Sequence, residues 1–174
     1  MKLRPIISHS CFVRLAFSVV AILLCGYQAE AQQSLPHPVK LYAISTQGLN
    51  FGAFTVGSSG GTLSMSATGT RSVTGDVVAL GLGVTYTPAM FQIEADPGTV
   101  LGILNGPDVT LTGSAGGTLN LHLGTSNPAL PIITTAVPPA LTTLTIGGTL
   151  TVGTLTSNPP GFYSGYFFIT IIRE

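Results

Sequence analysis

Gly161-Phe-Tyr-Ser-Gly-Tyr-Phe-Phe-Ile-Thr-Ile-Ile-Arg-Glu174 is the stretch on which the fold reading turns. Its apolar residues alternate along a strand, and the spacing predicts one long strand over Phe162–Ile172. Tyr163, Phe167, Ile169 and Ile171 fall on one side. Phe162, Tyr166, Phe168 and Ile172 fall on the other, interrupted by Ser164 and Thr170. A strand with one wet face alternates apolar with polar residues, whereas this one is apolar on both sides. Either it lies between two layers, or something beyond the domain covers its second side.

Upstream, no window after residue 32 has helical periodicity. Gly and Pro punctuate the sequence about every ten residues, and the runs between them are rich in Val, Ile, Thr, Leu and Phe. Short strands at even spacing predict an all-β sandwich. The expected strands are Val39–Ser45, Leu49–Val56, Thr62–Ala67, Asp76–Leu82, Val84–Thr87, Phe91–Ala95, Val100–Leu104, Val109–Thr112, Thr118–Leu123, Leu141–Ile146, Thr149–Leu155 and Phe162–Ile172. Asp96-Pro-Gly98 and Asn105-Gly-Pro107 read as tight turns, with Pro fixing φ and Gly taking positive φ. Three near-copies, Gly60-Gly-Thr-Leu-Ser-Met65, Gly116-Gly-Thr-Leu-Asn-Leu121 and Gly147-Gly-Thr-Leu-Thr-Val152, read as hairpin starts. Their unequal intervals argue against a solenoid, which needs a fixed period. Asn127–Pro139, with four prolines, reads as a loop or edge crossing.

The N-terminus has the composition of a secretory leader. Lys2, Arg4 and Arg14 precede an apolar run from Leu15 to Leu24, and Ala29-Glu-Ala31 has the small-x-small form of a cleavage site. The run is too short to span a bilayer. Residues 1–31 are therefore expected to be a signal peptide. A lipoprotein route through Cys25 is the weaker reading, because Leu24 stands where a small residue is usual. An extended segment with a first strand follows over 32–48, and the sandwich domain over 49–174. Export to the periplasm, cell surface or medium follows, with no stable membrane insertion once the leader is removed.

Both cysteines, Cys11 and Cys25, lie in the leader, which leaves the exported chain without a disulfide or thiol nucleophile. Charged residues are only 7% of the sequence, against roughly one-quarter in ordinary soluble domains. Beyond the leader the net charge is about −2, and there is no basic patch for nucleic acid. The polar surface must come mainly from Thr, Ser, Gly and Asn, and such low charge favours association between copies.

The candidate chemistry is thin. Gly57-Ser-Ser-Gly-Gly61 fits a nucleophile-elbow pattern literally, but that motif needs a strand-to-helix turn and here a strand follows. Glu94 and Asp96 share a side and are candidates for Ca²⁺ or acid–base work; Asp96 more simply shapes its Asp-Pro-Gly turn. Asp76 and Asp108 stand at strand starts, where a carboxylate accepts local N–H groups. His122 is expected to face solvent beside Asn120, with Leu119, Leu121 and Leu123 inward. His37 lies between prolines, and no His pair has zinc spacing. Arg71 either pairs with Asp76 or a backbone carbonyl, or meets an external anion. The expectation is a protein that is not an enzyme, with no cofactor and no metal.

Taken in order, Leu49-Asn-Phe-Gly-Ala-Phe54, Gly60-Gly-Thr62, Gly69-Thr-Arg71, Gly75-Asp-Val77, Pro88-Ala-Met-Phe91, Asp96-Pro-Gly98, Val109-Thr-Leu111, Gly147-Gly-Thr-Leu-Thr-Val152 and Gly161-Phe-Tyr-Ser-Gly165 resemble the bacterial domain of unknown function 4402 family (DUF4402). The resemblance implies an exported, immunoglobulin-like antiparallel β-sandwich similar to pilus subunits. It implies no activity and offers no catalytic residues.

Two functions fit. One is a fimbrial or surface-matrix subunit that joins copies of itself or related subunits by β-augmentation. Val39, Leu41 and Ala43 would then mark the donor segment. Phe162, Tyr166, Phe168 and Ile172 would mark the acceptor or docking strand. The plain alternative for Val39–Ile44 is a first strand of its own sandwich. The other function is a self-contained adhesin-like or carbohydrate-binding module, although the chain has no Trp.

Overall fold

The computed structural model describes residues 37–174, so the expected signal peptide lies outside the described residues. The chain forms an all-β, antiparallel sandwich. Its elements are β1 (Lys40–Ala43), β2 (Phe54–Met65), β3 (Arg71–Ala79), β4 (Ala89–Glu94), β5 (Val100–Asn105), β6 (Val109–Gly113), β7 (Thr118–Asn127), β8 (Ile132–Ile133), β9 (Thr142–Val152), β10 (Tyr163–Ser164) and β11 (Ile169–Arg173).

β9 is the spine of an eight-stranded sheet. Its first half, Thr142–Ile146, pairs with β4, and its second half, Gly148–Val152, pairs with β2. Its opposite side pairs with β7. β1 extends the sheet beyond β4, β3 beyond β2, and β6 then β10 beyond β7. A second sheet of three strands has the order β11-β5-β8.

The period of two sorts the side chains. On β9, Leu144, Ile146, Leu150 and Val152 are buried, while Thr143 and Thr151 face water. One buried cluster joins Phe91, Ile93, Leu144 and Ile146 of the large sheet to Leu101 and Ile132 of the small one. The other gathers Leu63, Met65, Val77, Leu111, Leu119, Leu121 and Leu150, with Phe51 packed among them. Each fully buried aliphatic side chain contributes about 2 kcal/mol in transfer free energy, which is what holds the layers together.

Several expected boundaries move, for identifiable reasons. Leu141–Ile146 and Thr149–Leu155 are one strand, because Gly147-Gly148 runs straight through β9. A Cβ on Gly147 would collide with the Met65 carbonyl and crowd Ala67 N at 2.8 Å, so this glycine serves close approach of the neighbouring chain. The second strand begins at Phe54 rather than Leu49 and absorbs Thr62–Met65. Its register with β3 shifts between Val56 and Gly61, with Gly60 at φ 69°, as at a β-bulge. Only Gly116-Gly117 of the three glycine pairs joins two strands as a hairpin. Val84–Thr87 is not a strand, although Thr87 makes an isolated bridge to Asn50. The proline-rich stretch is loop except for β8, whose Ile132 is buried.

The C-terminal prediction needs the largest correction. Phe162–Ile172 is not one strand but two short ones with residues 165–168 between them. β10 pairs with β6 in the large sheet, and β11 pairs with β5 in the small one. The segment breaks because it crosses from one layer to the other. Gly165 makes the crossing against β6, where a Cβ would come within 2.7 Å of Leu111 Cδ2.

Candidate functional site

The terminal segment has two sides, as its alternation requires. Tyr163, Phe167, Ile169 and Ile171 pack against the two buried clusters, and the Phe167 ring meets Phe91 edge-on at 6.3 Å between centroids. The other side is bare: Phe162 is 89% exposed, Tyr166 88% and Phe168 77%, with Ile172 also exposed. The segment also occupies two sheet margins. β10 is the last strand of the large sheet and β11 an end strand of the small one. Unpaired backbone along such margins is a template for another strand.

Val39, Leu41 and Ala43 belong to the opposite margin. β1 pairs with β4 from Lys40↔Glu94 to Ala43↔Phe91. Val39 and Leu41 pack against the cluster between the sheets, and Ala43 is exposed. Ile44 N donates to Met90 O at 3.1 Å. The alternation of antiparallel bonding therefore turns the N–H of Ala43 away from β4, toward the free side. The structure thus puts the expected donor segment, paired with its own β4, and the expected acceptor segment at separate margins of one chain.

Around β1 the few charges are paired. Lys40 Nζ donates to Glu94 Oε1 at 3.1 Å, and Tyr42 OH donates to Glu94 Oε2 at 3.0 Å. The bond from Lys40 is the main cause that lowers the Glu94 pKa, and the same contact raises that of Lys40. Asp96 accepts the backbone N–H of His37 at 2.8 Å, the leading cause of its lowered pKa. Its carbonyl accepts from Thr99 Oγ1 at 2.7 Å and Thr134 Oγ1 at 2.6 Å. Glu94 and Asp96 are thus engaged with different partners, and Asp96 anchors its turn.

The outer surface of the large sheet has another character. Cross-strand registers align Thr74, Thr62, Thr151, Asn120 and Thr110 in one row. The next row aligns Ser72, Ser64, Thr149 and His122. Thr62 and Thr74 share a hydrogen bond of 2.6 Å, and Ser64 and Thr149 one of 2.9 Å. His122 Nδ1 lies 2.7 Å from Asp108 Oδ1, while Asn120 Nδ2 donates to Asp108 Oδ2 at 3.1 Å. These bonds, His122 first, lower the Asp108 pKa.

Beside the first row lies an open depression of about 310 Å³, lined by Thr110, Thr118, Asn120, Thr151, Ser157 and Asn158. Asn158, which the sequence did not mark, is buried. Its Oδ1 accepts Gly153 N–H and its Nδ2 donates to Thr118 O, both at 2.6 Å. The only sequence cue is an Asn before two prolines.

Arg71 takes the carbonyl alternative. It donates to Phe51 O at 3.1 Å, Ala53 O at 3.2 Å and Leu80 O at 3.3 Å, and lies 4.4 Å from the Tyr86 ring centre. Asp76 instead accepts Ser59 N–H at 3.2 Å across the bulge. Gly57–Gly61 thus lies inside β2, not at a strand-to-helix turn. Among the described residues no group of three His, Cys, Asp or Glu is placed to hold a metal ion. No helix among them is long and apolar enough to cross a membrane.

The fold and its margins define a class: an antiparallel sandwich with an apolar, uncovered C-terminal segment and hydroxyl-rich polar surface. The family model described as Domain of unknown function (DUF4402) matches residues 42–172, and the chain belongs to that family. No curated protein and no solved structure matches the chain.

Proposed function

We propose that this protein is a non-catalytic, exported structural subunit of a fimbria-like filament or surface matrix, joined to copies of itself or related subunits by β-strand pairing. The observation that carries this reading is the terminal segment: it forms a margin of both sheets and leaves Phe162 and Tyr166 uncovered. β1 lies at a different margin of the large sheet, with the Ala43 N–H directed outward. Head-to-tail pairing of β1 in one copy with the terminal segment of the next breaks no bond within either subunit. Because the two margins differ, the contact is heterologous and propagates as an open file rather than closing on itself. The leader-like composition of residues 1–31 and the scarcity of charge support a reading of export and association.

The test is Ala43→Pro, which removes an outward N–H and leaves the bond from Ile44 to Met90 in place. The parent chain should form files visible by negative stain, and Ala43→Pro should shorten or abolish them. A chain starting at Leu49 should be poorly stable alone and be rescued by a peptide spanning Leu35–Ser45. A parent chain that stays monomeric at high concentration defeats the proposal.

A second reading, a carbohydrate-binding module, is favoured by the depression beside Asn120 and Thr151, where hydroxyl and amide groups converge. Binding of a soluble glycan that is lost in Asn120→Ala would establish it in place of the first.

A further inference from the structure

The hydrogen bonds at the two ends of β11 fix which of its backbone groups are free. Gly106 N donates to Phe168 O at 3.0 Å, and Glu174 N donates to Val100 O at 3.0 Å. Between them the register runs without a shift from Ile169↔Asn105 to Arg173↔Leu101. Bonding in an antiparallel pair alternates, so Phe168, Thr170, Ile172 and Glu174 turn N–H and C=O toward β5. Ile169, Ile171 and Arg173 turn theirs to the open side, because β11 ends its sheet. β1 has the same arrangement. The bond from Ile44 N to Met90 O extends the register of Lys40↔Glu94, so Lys40, Tyr42 and Ile44 face β4, while Leu41 and Ala43 face outward. Val39 precedes them in the same phase and packs with Leu41 against one cluster.

We infer that β1 of one copy pairs antiparallel with β11 of the next, with Leu41 opposite Ile171. This pairing rests on the strand-pairing reading above and specifies its acceptor strand, direction and register. Phase decides the direction. On both free edges, residues whose backbone faces out also send their side chains to the core: Val39 and Leu41 on β1, Ile169 and Ile171 on β11. Antiparallel strands bond directly opposite residues to each other, and opposite residues project to the same side. The joined sheet then continues core side to core side. In a parallel pair each edge residue bonds to the two neighbours of the residue opposite it. That would set the inward side chains of β1 beside the outward Thr170 and Ile172.

Length decides the acceptor. Ser114 N donates to Phe162 O at 2.8 Å, in phase with Ser164↔Thr112. Along β10 only Tyr163 therefore faces the open side, with room for about two ladder bonds. β11 offers Ile169, Ile171 and Arg173, or about six bonds against Val39, Leu41 and Ala43. Length also fixes the register. Leu41 opposite Ile171 uses all of these residues, and any slip that keeps the phase leaves one on each strand unpaired. Tyr42 then falls opposite Thr170, Lys40 opposite Ile172 and Val39 opposite Arg173, so no like charges are directly opposed.

The experiment reads the register by disulfide trapping, in protein expressed from the full sequence with Cys11→Ser and Cys25→Ser. Tyr42 and Thr170 are both exposed. At a non-hydrogen-bonded antiparallel position their Cα atoms would lie about 4.5 Å apart, within the span of a disulfide. Mixing Tyr42→Cys with Thr170→Cys under mild oxidation should give a covalent dimer at least fivefold above either variant alone. Tyr42→Cys with Ile171→Cys should give no such gain, and adding Ala43→Pro to the Tyr42→Cys copy should remove the dimer from the first mixture. Circular dichroism checks that each variant keeps its sheet signal, and Lys40→Cys with Ile172→Cys repeats the trap at the neighbouring outward pair. Files that trap through Tyr42→Cys with Ile171→Cys, the parallel pair, overturn the inference and leave the filament reading standing. So do files that trap through Tyr42→Cys with Ser164→Cys on β10, or at none of these pairs. A chain that forms neither files nor trapped dimers overturns both.

Discussion

The outer surfaces of the two sheets are built on the same alternation and end in opposite chemistry. On the large sheet the outward positions of β3, β2, β9, β7 and β6 are mostly Thr, Ser, Asn and His, with Asp76 and the exposed Val78 on β3. On the small sheet they include Leu104, Ile172 and Ile133, with Thr170 opposite Leu104 and the Glu174 carboxylate over Gly102. The inner surfaces are alike, Leu150 and Ile146 on one, Leu101 and Ile132 on the other, all buried. Burial within the domain therefore does not account for the difference outside. The large sheet is finished for water mainly by polar side chains that hydrogen-bond one another; the small sheet offers only Thr170 and Glu174 among exposed Leu104, Ile133 and Ile172. A chain with so little charge has few ways to keep such a face from association.

The comparison can be broken most forcefully from inside. Leu150 and Thr151 are neighbours on β9 with opposite orientations, one buried and one exposed. Leu150→Ala should lower stability by about 2–5 kcal/mol, read as the midpoint of urea unfolding. Thr151→Val should change it by under about 0.5 kcal/mol. Comparable losses from both would mean that the hydroxyl face is covered by something and is not an outer surface.

The next effect sharpens how the hydroxyl face is closed at its end. Asn158 ties Gly153 to Thr118 with two bonds of 2.6 Å from a buried side chain. Asn158→Ala leaves a buried N–H and a carbonyl without partners, which costs about 2–3 kcal/mol. Asn158→Asp keeps the acceptor for Gly153 and sets a second acceptor against Thr118 O, so it should recover little. An Asp variant as stable as the parent would show that the contact to Thr118 contributes nothing.

How much of this was legible follows the same division. The periodicity of two gave the all-β class, the inward Leu119, Leu121 and Leu123, and the two sides of the terminal segment with the correct residues on each. It could not give the break after Ser164, because Tyr166–Phe168 stays apolar on both sides like the rest of the stretch. What breaks the strand is the passage between layers, a tertiary demand. Glycine pairs were ambiguous for the same reason: Gly116-Gly117 turns the chain, while Gly147 admits the backbone of Met65. Sequence shows that a side chain is absent there, not which neighbour occupies the space. The apolar small-sheet face escaped notice because its members come from β5, β8 and β11, far apart in the chain. Ile133 in particular lies in a stretch that its prolines mark as loop. The family resemblance, spread over many weak Gly- and Thr-rich pieces, was legible because their order carries the signal.

A smaller effect exchanges the two chemistries. Leu104→Thr with Ile133→Thr should leave unfolding within about 1 kcal/mol of the parent, since both side chains are largely exposed. Its solubility should rise. The reverse exchange, Thr143→Leu with Thr151→Leu, should be as neutral for stability and should create association where none was present. If the leucine pair stays soluble and unassociated, apolar character alone does not make a contact face in this fold.

The smallest effect concerns Asp108, a charged group beside the hydroxyl rows. Asp108 is bonded to His122 and Asn120, and its pKa lies below the ordinary 3.8, chiefly through the bond to His122. A carboxyl that holds its proton less tightly when folded stabilises the fold in its ionised form. That contribution is complete above the unfolded value of 3.8 and is lost as pH falls through the lower folded value. Glu94 and Asp96 have the same sign, so acid weakens the parent through all three. Replacing Asp108 with Asn removes one titrating group from the set. Its melting temperature should lie slightly below the parent near pH 6, and the two curves should converge below pH 3.8, with added salt narrowing the gap because the site is exposed. Curves that stay parallel down to pH 2 would show that Asp108 acts on the fold through geometry alone, and that the hydroxyl face owes nothing to this charge.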